Sequence, residues 1–353
     1  MSLAERIHNI SQFQLFLTEF LSVDFQDDRE LSFPEHFYLE LKKITETVVH
    51  HNGWFVKENV LHALSNWKDN LTHKKLVNWI KPYHLKEVTQ EKRIGIIMAG
   101  NIPMVGFHDL ISILLSGHHA LIKLSSNDDQ LIPFLVKVLI HINPEFNSKI
   151  TFVQQKLEGF DAVIATGSNN TARYFEYYFK GKPHIIRKNR TSVAVLTGME
   201  SEKDLENLGE DILRYFGMGC RNVSKLFIPK DFDLDRFFKG IFSFQNHIHH
   251  HKYQNNYDYH KAIFLMNQDS IIENGFLILK EDSSYHSPIS TLFYERYENL
   301  EILQKRLKED AEKLQCVVGQ NILENEVGFG ETQKPDLTQY ADGIDTIEFL
   351  KNL

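Results

Sequence analysis

The chain has 353 residues, 42% of them hydrophobic and 24% charged. That is enough apolar material for two domains or one large one, and too much for a disordered chain. The 39 Lys and Arg against 47 Asp and Glu leave a net charge of −8, which argues against a protein whose main task is gripping nucleic-acid phosphates. No run approaches roughly 18 consecutive apolar residues and no charged-then-apolar leader opens the chain, so the reading expects no membrane span and no secretion. Two cysteines, Cys220 and Cys316, exclude a disulfide scaffold and fit a reducing, cytoplasmic setting.

Residues 1 to about 88 read as helical and irregular. Phe13, Phe16, Leu17 and Phe20 recur at helical spacing, as do Leu61, Leu64 and Trp67. From Arg93 short apolar runs alternate with helical patterns: RIGIIMAG, a helix over 104–116, HALIKL, a helix over 130–142, ITFVQ, DAVIATG, a helix over 169–179, and HII at 184–186. Buried runs of this length separated by helices predict βαβ units and a parallel sheet. A second α/β run follows. SVAVLTG, SKLFIP, AIFLM, FLILK, STLFYE and QCVVG read as strands, and 204–215, 232–244 and 300–314 as helices. The expected organisation is an N-terminal helical region with a nucleotide-binding domain over 1–190, a catalytic domain over 191–321 and a tail over 322–353 that packs back on the body. Two α/β halves would flank a crevice.

Several positions carry potential chemistry. Cys220 lies in FGMGCRNVSKLFIP between a predicted helix and a predicted strand. Gly217 and Gly219 let the backbone turn there, and Arg221 or backbone N–H groups could favour a thiolate; the alternative is a small buried apolar residue. Cys316, in LQCVVG, reads as core. Asn101 ends the strand RIGIIMAG, where α/β sheets place ligands, and its carboxamide could donate to an oxyanion or merely cap a helix. Lys123 ends the next strand, with Ser125 and Ser126 in the turn after it. A lysine there suits ribose hydroxyls or phosphate, or is a solvated strand-end charge. Gly167 and Ser168 close DAVIATGS ahead of a helix, where backbone N–H groups can meet a pyrophosphate or simply make the turn. No G-x-G-x-x-G occurs. The cluster His247-Ile248-His249-His250-His251 has irregular spacing and no adjacent carboxylate, so it reads as a solvated polar loop with no functional metal.

In order, GNIP, IKLSS, TGS, GMGC, SPISTLFYE, FGETQKP and YADGIDTIEFL resemble the acyl-CoA reductase branch of the aldehyde dehydrogenase superfamily, the LuxC type of bacterial bioluminescence. The likeness runs from about residue 93 to the end. It implies an α/β fold with a modified Rossmann cofactor domain, which accounts for the missing glycine fingerprint, and an α/β catalytic domain. It implies Cys220 as the nucleophilic thiol, Asn101 and the Cys220 N–H as oxyanion donors, Lys123 on the adenosine ribose, and Gly167 and Ser168 at the cofactor phosphate.

Departures from the wider superfamily refine this expectation. Hydrolytic members carry a general-base glutamate about 30 positions before the cysteine. Arg187, 33 positions before Cys220, takes that place here. Without the base an external thiol becomes the natural acyl acceptor, which fits a CoA-dependent enzyme. Ser126 stands where NAD-preferring relatives often carry a glutamate, which removes a charge that would repel a 2′-phosphate. The expected cofactor is therefore NADPH, with NADH as the alternative. Ser284 falls near the glutamate that orients the nicotinamide ribose in relatives. The resemblance implies NADPH-dependent reduction of an acyl-CoA, in particular a fatty one, to aldehyde. Reduction of an acyl phosphate and a non-catalytic acyl- or nucleotide-binding subunit are the alternatives. An acyl-transferring partner enzyme and a homo-oligomer are further expectations.

Overall fold

The computed structural model describes residues 1–22, 30–87, 90–167 and 169–353. It divides into two compact units, Met1–Asn189 with Asp336–Leu353, and Arg190–Pro335. Residues 322–335 thus belong to the second unit and the last 18 residues to the first.

The first unit opens with four helices, α1 (Leu3–Ser22), α2 (Glu35–Thr47), α3 (Lys57–Asn70) and α4 (His73–Ile80). The helical spacing of Phe13, Phe16, Leu17 and Phe20 turns all four inward, and all are buried. The ladder then runs β1 (Arg93–Ile97), α5 (Phe107–Ser116), β2 (His119–Lys123), α6 (Leu131–Ile142), β3 (Ile150–Phe152), β4 (Ala162–Thr166), α7 (Asn169–Tyr178) and β5 (His184–Arg187). The sheet is parallel throughout, in the order β3-β2-β1-β4-β5. Phe13 packs on Phe107 of α5 at 5.8 Å between ring centroids, and Phe16 on Phe134 of α6 at 6.2 Å. The N-terminal helix is thereby fixed to the helices that flank the sheet. Truncating either fully buried phenylalanine to alanine would cost about 3–5 kcal/mol.

The second unit contains β6 (Thr191–Val195), α8 (Glu202–Leu213), β7 (Val223–Pro229), α9 (Leu234–Gly240), α10 (His251–Met266), β8 (Ile271–Glu273), β9 (Ile278–Glu281), β10 (Thr291–Tyr297), α11 (Leu300–Glu309) and β11 (Leu314–Val318). Its sheet order is β11-β6-β7-β10-β9-β8, parallel except for the short β8–β9 pair. Ser201 and Asp204 form a reciprocal capping box at the start of α8, satisfying two donors that a helix otherwise leaves open. Helix α12 (Thr346–Lys351) closes the chain.

Several sequence expectations need correction, and the helix expected over 300–314 ends at Glu309, with Leu314 already in β11. The AIFLM run, read as a strand, is the last part of α10; five apolar residues have no period of their own, and the helix that precedes them simply continues. The single helix expected over 232–244 stops at Gly240, and 242–249 winds as 3-10 turns. The histidine cluster is not a loop. His247 and His249 sit in those turns, His250 caps α10 by accepting the Tyr253 N–H at 3.4 Å, and His251 begins the helix. Among the described residues no group of three or more metal-ligating side chains assembles, and no helix is long and apolar enough to cross a membrane.

Candidate active site

The first unit's sheet reverses strand order between β1 and β4, the place where parallel α/β sheets leave a crevice at their carboxyl edge. Register pairs Ile97 with Lys123 on one side and with Ala165 on the other. The ends of β2, β1 and β4 are therefore neighbours, and so are Lys123, the turn carrying Asn101, and Gly167. Lys123 is half-buried and its Nζ donates to Gln155 O at 2.6 Å. Asn101 is exposed in the turn after β1, Ser125 is half-buried and Ser126 exposed. Gly167 spends its own N–H on Arg187 O at 3.4 Å, continuing the β4–β5 pairing. Ser168 lies outside the described residues.

The turn after β1 is held from two sides. Helix α5 starts at Phe107, later than the expected 104, because Met104 takes a left-handed backbone (φ 65°) that no helix continues. The Met104 N–H donates to Asp128 Oδ2 at 2.8 Å. Asn52 Nδ2 donates to Gly100 O at 3.3 Å and to Asn127 O at 3.2 Å. Gly100 is required by close approach, since a Cβ there would lie 2.6 Å from Ser125 Oγ. Burial raises the Asp128 carboxyl to about 7, against the lowering effect of the Met104 N–H.

In the second unit Cys220 is exposed in the turn between α8 and β7. Just before it Tyr215, Phe216 and Gly217 are left-handed in succession, at φ 54°, 57° and 76°. Two non-glycine residues in that region cost on the order of 1–3 kcal/mol each and persist only where their surroundings impose them. Those surroundings are visible. Phe216 stacks on His250 at 4.3 Å and meets Tyr253 at 5.9 Å. Asn222 Nδ2 donates to Asp211 O, Ile212 O and Arg214 O at 3.1, 3.3 and 2.8 Å, while its Oδ1 accepts the Gly219 N–H at 2.8 Å. Ser192 Oγ donates to the Cys220 carbonyl at 3.0 Å. The carboxyl of Asp211 accepts from Gly330 N, Thr332 N and Thr332 Oγ1, which fastens the FGETQKP segment onto α8. Burial raises Asp211 to about 6.

The two thiols sit in opposite settings. Cys316 is buried in β11 and burial raises its pKa, opposed by the nearby Arg221 charge. The Arg221 guanidinium donates to Cys316 Sγ at 3.2 Å. Arg187 is buried and grips Asp109 in a two-pronged pair, 2.6 and 2.8 Å, while also donating to Thr346 Oγ1 at 3.0 Å. It joins β5, α5 and α12 and cannot take up a proton in place of a general base. Ser284 is exposed, with its N–H on Asp282 Oδ1 at 2.9 Å. Sequence reasoning missed Asn52, Asp128, Ser192 and Asn222. Their residue types suit caps and turns anywhere, and only the fold shows what they hold.

Residues 54–237 match the family model of acyl-CoA reductase (LuxC), more than half of the chain and including Asn101, Lys123 and Cys220. The chain belongs to this family. Membership makes it an oxidoreductase of acyl or aldehyde substrates. Solved structures of similar fold are aldehyde dehydrogenases. Aldehyde dehydrogenase 21 from Physcomitrella patens, in complex with succinate, superposes with a TM-score of 0.68 at 9% identity, over 100% of this chain and 84% of that one. The NAD+ complex of aldehyde dehydrogenase from Bacillus cereus gives 0.61 at 12%, over 90% and 72%. The NAD+ complex of the Mycobacterium tuberculosis enzyme gives 0.59 at 13%, over 86% and 70%. At such identities the likeness is one of fold, and the fold is the α/β arrangement with a modified Rossmann sheet. No curated protein matches the sequence significantly.

The carboxyl edge suits a dinucleotide. It presents a lysine and two serine hydroxyls. Lys123, Ser125 and Ser126 are the candidates to hold it, while the Gly167 N–H is already engaged by Arg187 O.

Proposed function

We propose that the protein reduces an acyl-CoA thioester, in particular a fatty one, to the aldehyde through an acyl-enzyme on Cys220. The observation that supports this most is the exposure of Cys220 at the tip of a strained, side-chain-braced turn in a chain of the acyl-CoA reductase family. The other cysteine is buried in a strand.

In the proposed reaction Cys220 Sγ, as thiolate, attacks the thioester carbon. The carbonyl oxygen becomes an oxyanion and accepts from the Asn101 carboxamide and the Cys220 N–H. The oxyanion collapses, the carbon–sulfur bond to CoA breaks, and CoA leaves as its thiolate. NADPH, when bound, supplies the hydride that the acyl carbon needs. Asn101 then holds the oxygen of the thiohemiacetal until Cys220 departs and the aldehyde is released. A thioester is electrophilic enough for that reduction, which is the purpose of the covalent stage. Arg187, committed to Asp109, provides no base for hydrolysing the acyl-enzyme, and CoA remains the natural exchange partner.

The test is NADPH oxidation with a long-chain acyl-CoA, run beside Cys220→Ala. Turnover is expected in the parent, and the variant should lose on the order of 10⁴-fold or more. A Cys220→Ala protein with parental turnover would refute the acyl-enzyme. Turnover with acyl phosphate and none with any CoA ester would replace the substrate class.

A further inference from the structure

The turn that carries Asn101 and the turn that carries Ser125 and Ser126 follow different strands, yet they share their anchors. Asn52, buried at 6% exposure, reaches both with a single amide group, at Gly100 O in the first and Asn127 O in the second. Its own Oδ1 accepts the Trp54 N–H at 3.1 Å, which sets the orientation of the amide. Asp128, buried at 4% exposure, belongs to the second turn and accepts the Met104 N–H of the first at 2.8 Å. The second turn is closed on itself, with Asp128 N on Ser125 O at 3.1 Å and Asn127 N on Ser125 Oγ at 3.2 Å. The Cα of Gly100 rests against Ser125 with no room for a methyl group. Beneath both, Met98 N donates to Lys123 O at 3.0 Å. The side-chain contacts of Asn52 and Asp128 span 24 to 75 positions of sequence and lie outside the β1–β2 ladder. The Asp128 carboxyl is buried and is held by the backbone N–H groups of Met104 and Leu131.

We propose that Asn52 and Asp128 are positioning residues that bolt the oxyanion turn to the cofactor turn, so that occupancy of the nicotinamide-dinucleotide site orders Asn101, the proposed oxyanion donor. The inference rests on the reading of Asn101 as an oxyanion donor and of the Ser125–Ser126 turn as part of the cofactor site. A dinucleotide restraining Ser125 and Ser126 restrains Gly100 and Met104 through the same bonds, and Asn101 lies between those two. The acyl transfer step, which consumes no reduced cofactor, thereby becomes sensitive to whether cofactor is present.

The experiment follows acylation of the full-length protein by a long-chain acyl-CoA in a single turnover, read as release of the CoA thiol, with and without saturating NADP+. The oxidised cofactor binds and delivers no hydride. In the parent, NADP+ should speed acylation by about fivefold or more. In Asn52→Ala the ratio should fall to one while NADP+ still binds by fluorescence titration and the cooperative thermal melt is kept. Asp128→Asn retains an acceptor for the Met104 N–H and should keep most of the ratio; Asp128→Ala should lose it. The Asp128 pair carries the test if Asn52→Ala fails to fold. A ratio of one in the parent, or an unchanged ratio in Asn52→Ala and Asp128→Ala, overturns the proposal. Asn101→Ala separates the two levels. If it acylates at the parental rate the oxyanion reading itself fails. If it is slow while the clamp variants keep the parental ratio, only the clamp fails.

Discussion

The turn of Asn101 and the turn of Cys220 use the same physical means and differ in where their braces come from. Each places left-handed backbone beside an exposed functional side chain, Met104 in one and Tyr215 to Gly217 in the other. Each is gripped by a buried polar side chain that bonds backbone groups. At Cys220 the side-chain hydrogen-bonding grip is neutral and mostly local. Asn222 holds carbonyls and an N–H 3 to 11 positions away, and Ser192 and the rings of His250 and Tyr253 add contacts from farther along the chain. At Asn101 the grip is distant and ionisable. Asn52 is 48 positions from Gly100 and Asp128 is 24 from Met104, so this turn takes shape only once the sheet and the N-terminal helices are in place. A brace drawn mostly from neighbouring residues fixes the turn of the proposed nucleophile. A distant one makes the position of the proposed donor depend on other parts of its unit.

After the loss expected of Cys220→Ala, the largest effect in this contrast is at the proposed donor. Asn101→Ala should lower turnover by on the order of 10²- to 10³-fold, with little change in cofactor binding, measured as kcat beside an NADP+ titration. Parental turnover would remove Asn101 from the chemistry.

The nucleophile side is probed by Asn222→Ala, which strands three carbonyls and one N–H around α8 and Gly219. A loss of about 2–3 kcal/mol is expected, read as a lowered denaturant midpoint at constant slope, with slower alkylation of Cys220. An unchanged midpoint would mean that the left-handed turn stands without its brace. In the parent, iodoacetamide should modify Cys220 about tenfold or more faster than Cys316, since a buried thiol reacts only after local opening. Equal rates would contradict the contrast between an exposed turn and a buried strand.

A further effect tests the difference between an ionisable and a neutral clamp. Asp128 has a folded-state pKa raised to about 7, so the folded protein holds this proton more tightly than the unfolded chain. The resulting stability is full below the unfolded value near 4 and is lost as pH rises towards about 7. Asp128→Asn removes that dependence. Whatever offset the buried amide brings is constant in pH, so variant minus parent should move in the variant's favour by a few kcal/mol between pH 4 and pH 8 in thermal melts. A difference that stays flat would show that Asp128 is not the titrating clamp.

The amino-acid sequence alone carried the alternation of buried runs and helices, because strands with both faces covered must be apolar and their connections must be amphipathic. With it came the ends of those strands, and so the positions of Asn101, Lys123 and Cys220 at the edges of the two sheets. The order of short motifs carried the family. Three things were decided only in the folded molecule. AIFLM became helix because the elements before it propagate through a short run with no preference of its own. Arg221 went to Cys316 and Arg187 to Asp109, partners 95 and 78 positions away, since a guanidinium pairs with whatever the fold brings within reach. And Asn52, Asp128 and Asn222 became braces. In sequence an Asn or Asp beside a turn looks the same whether it faces water or grips backbone, and only burial, which the packing of distant helices and strands creates, separates the two.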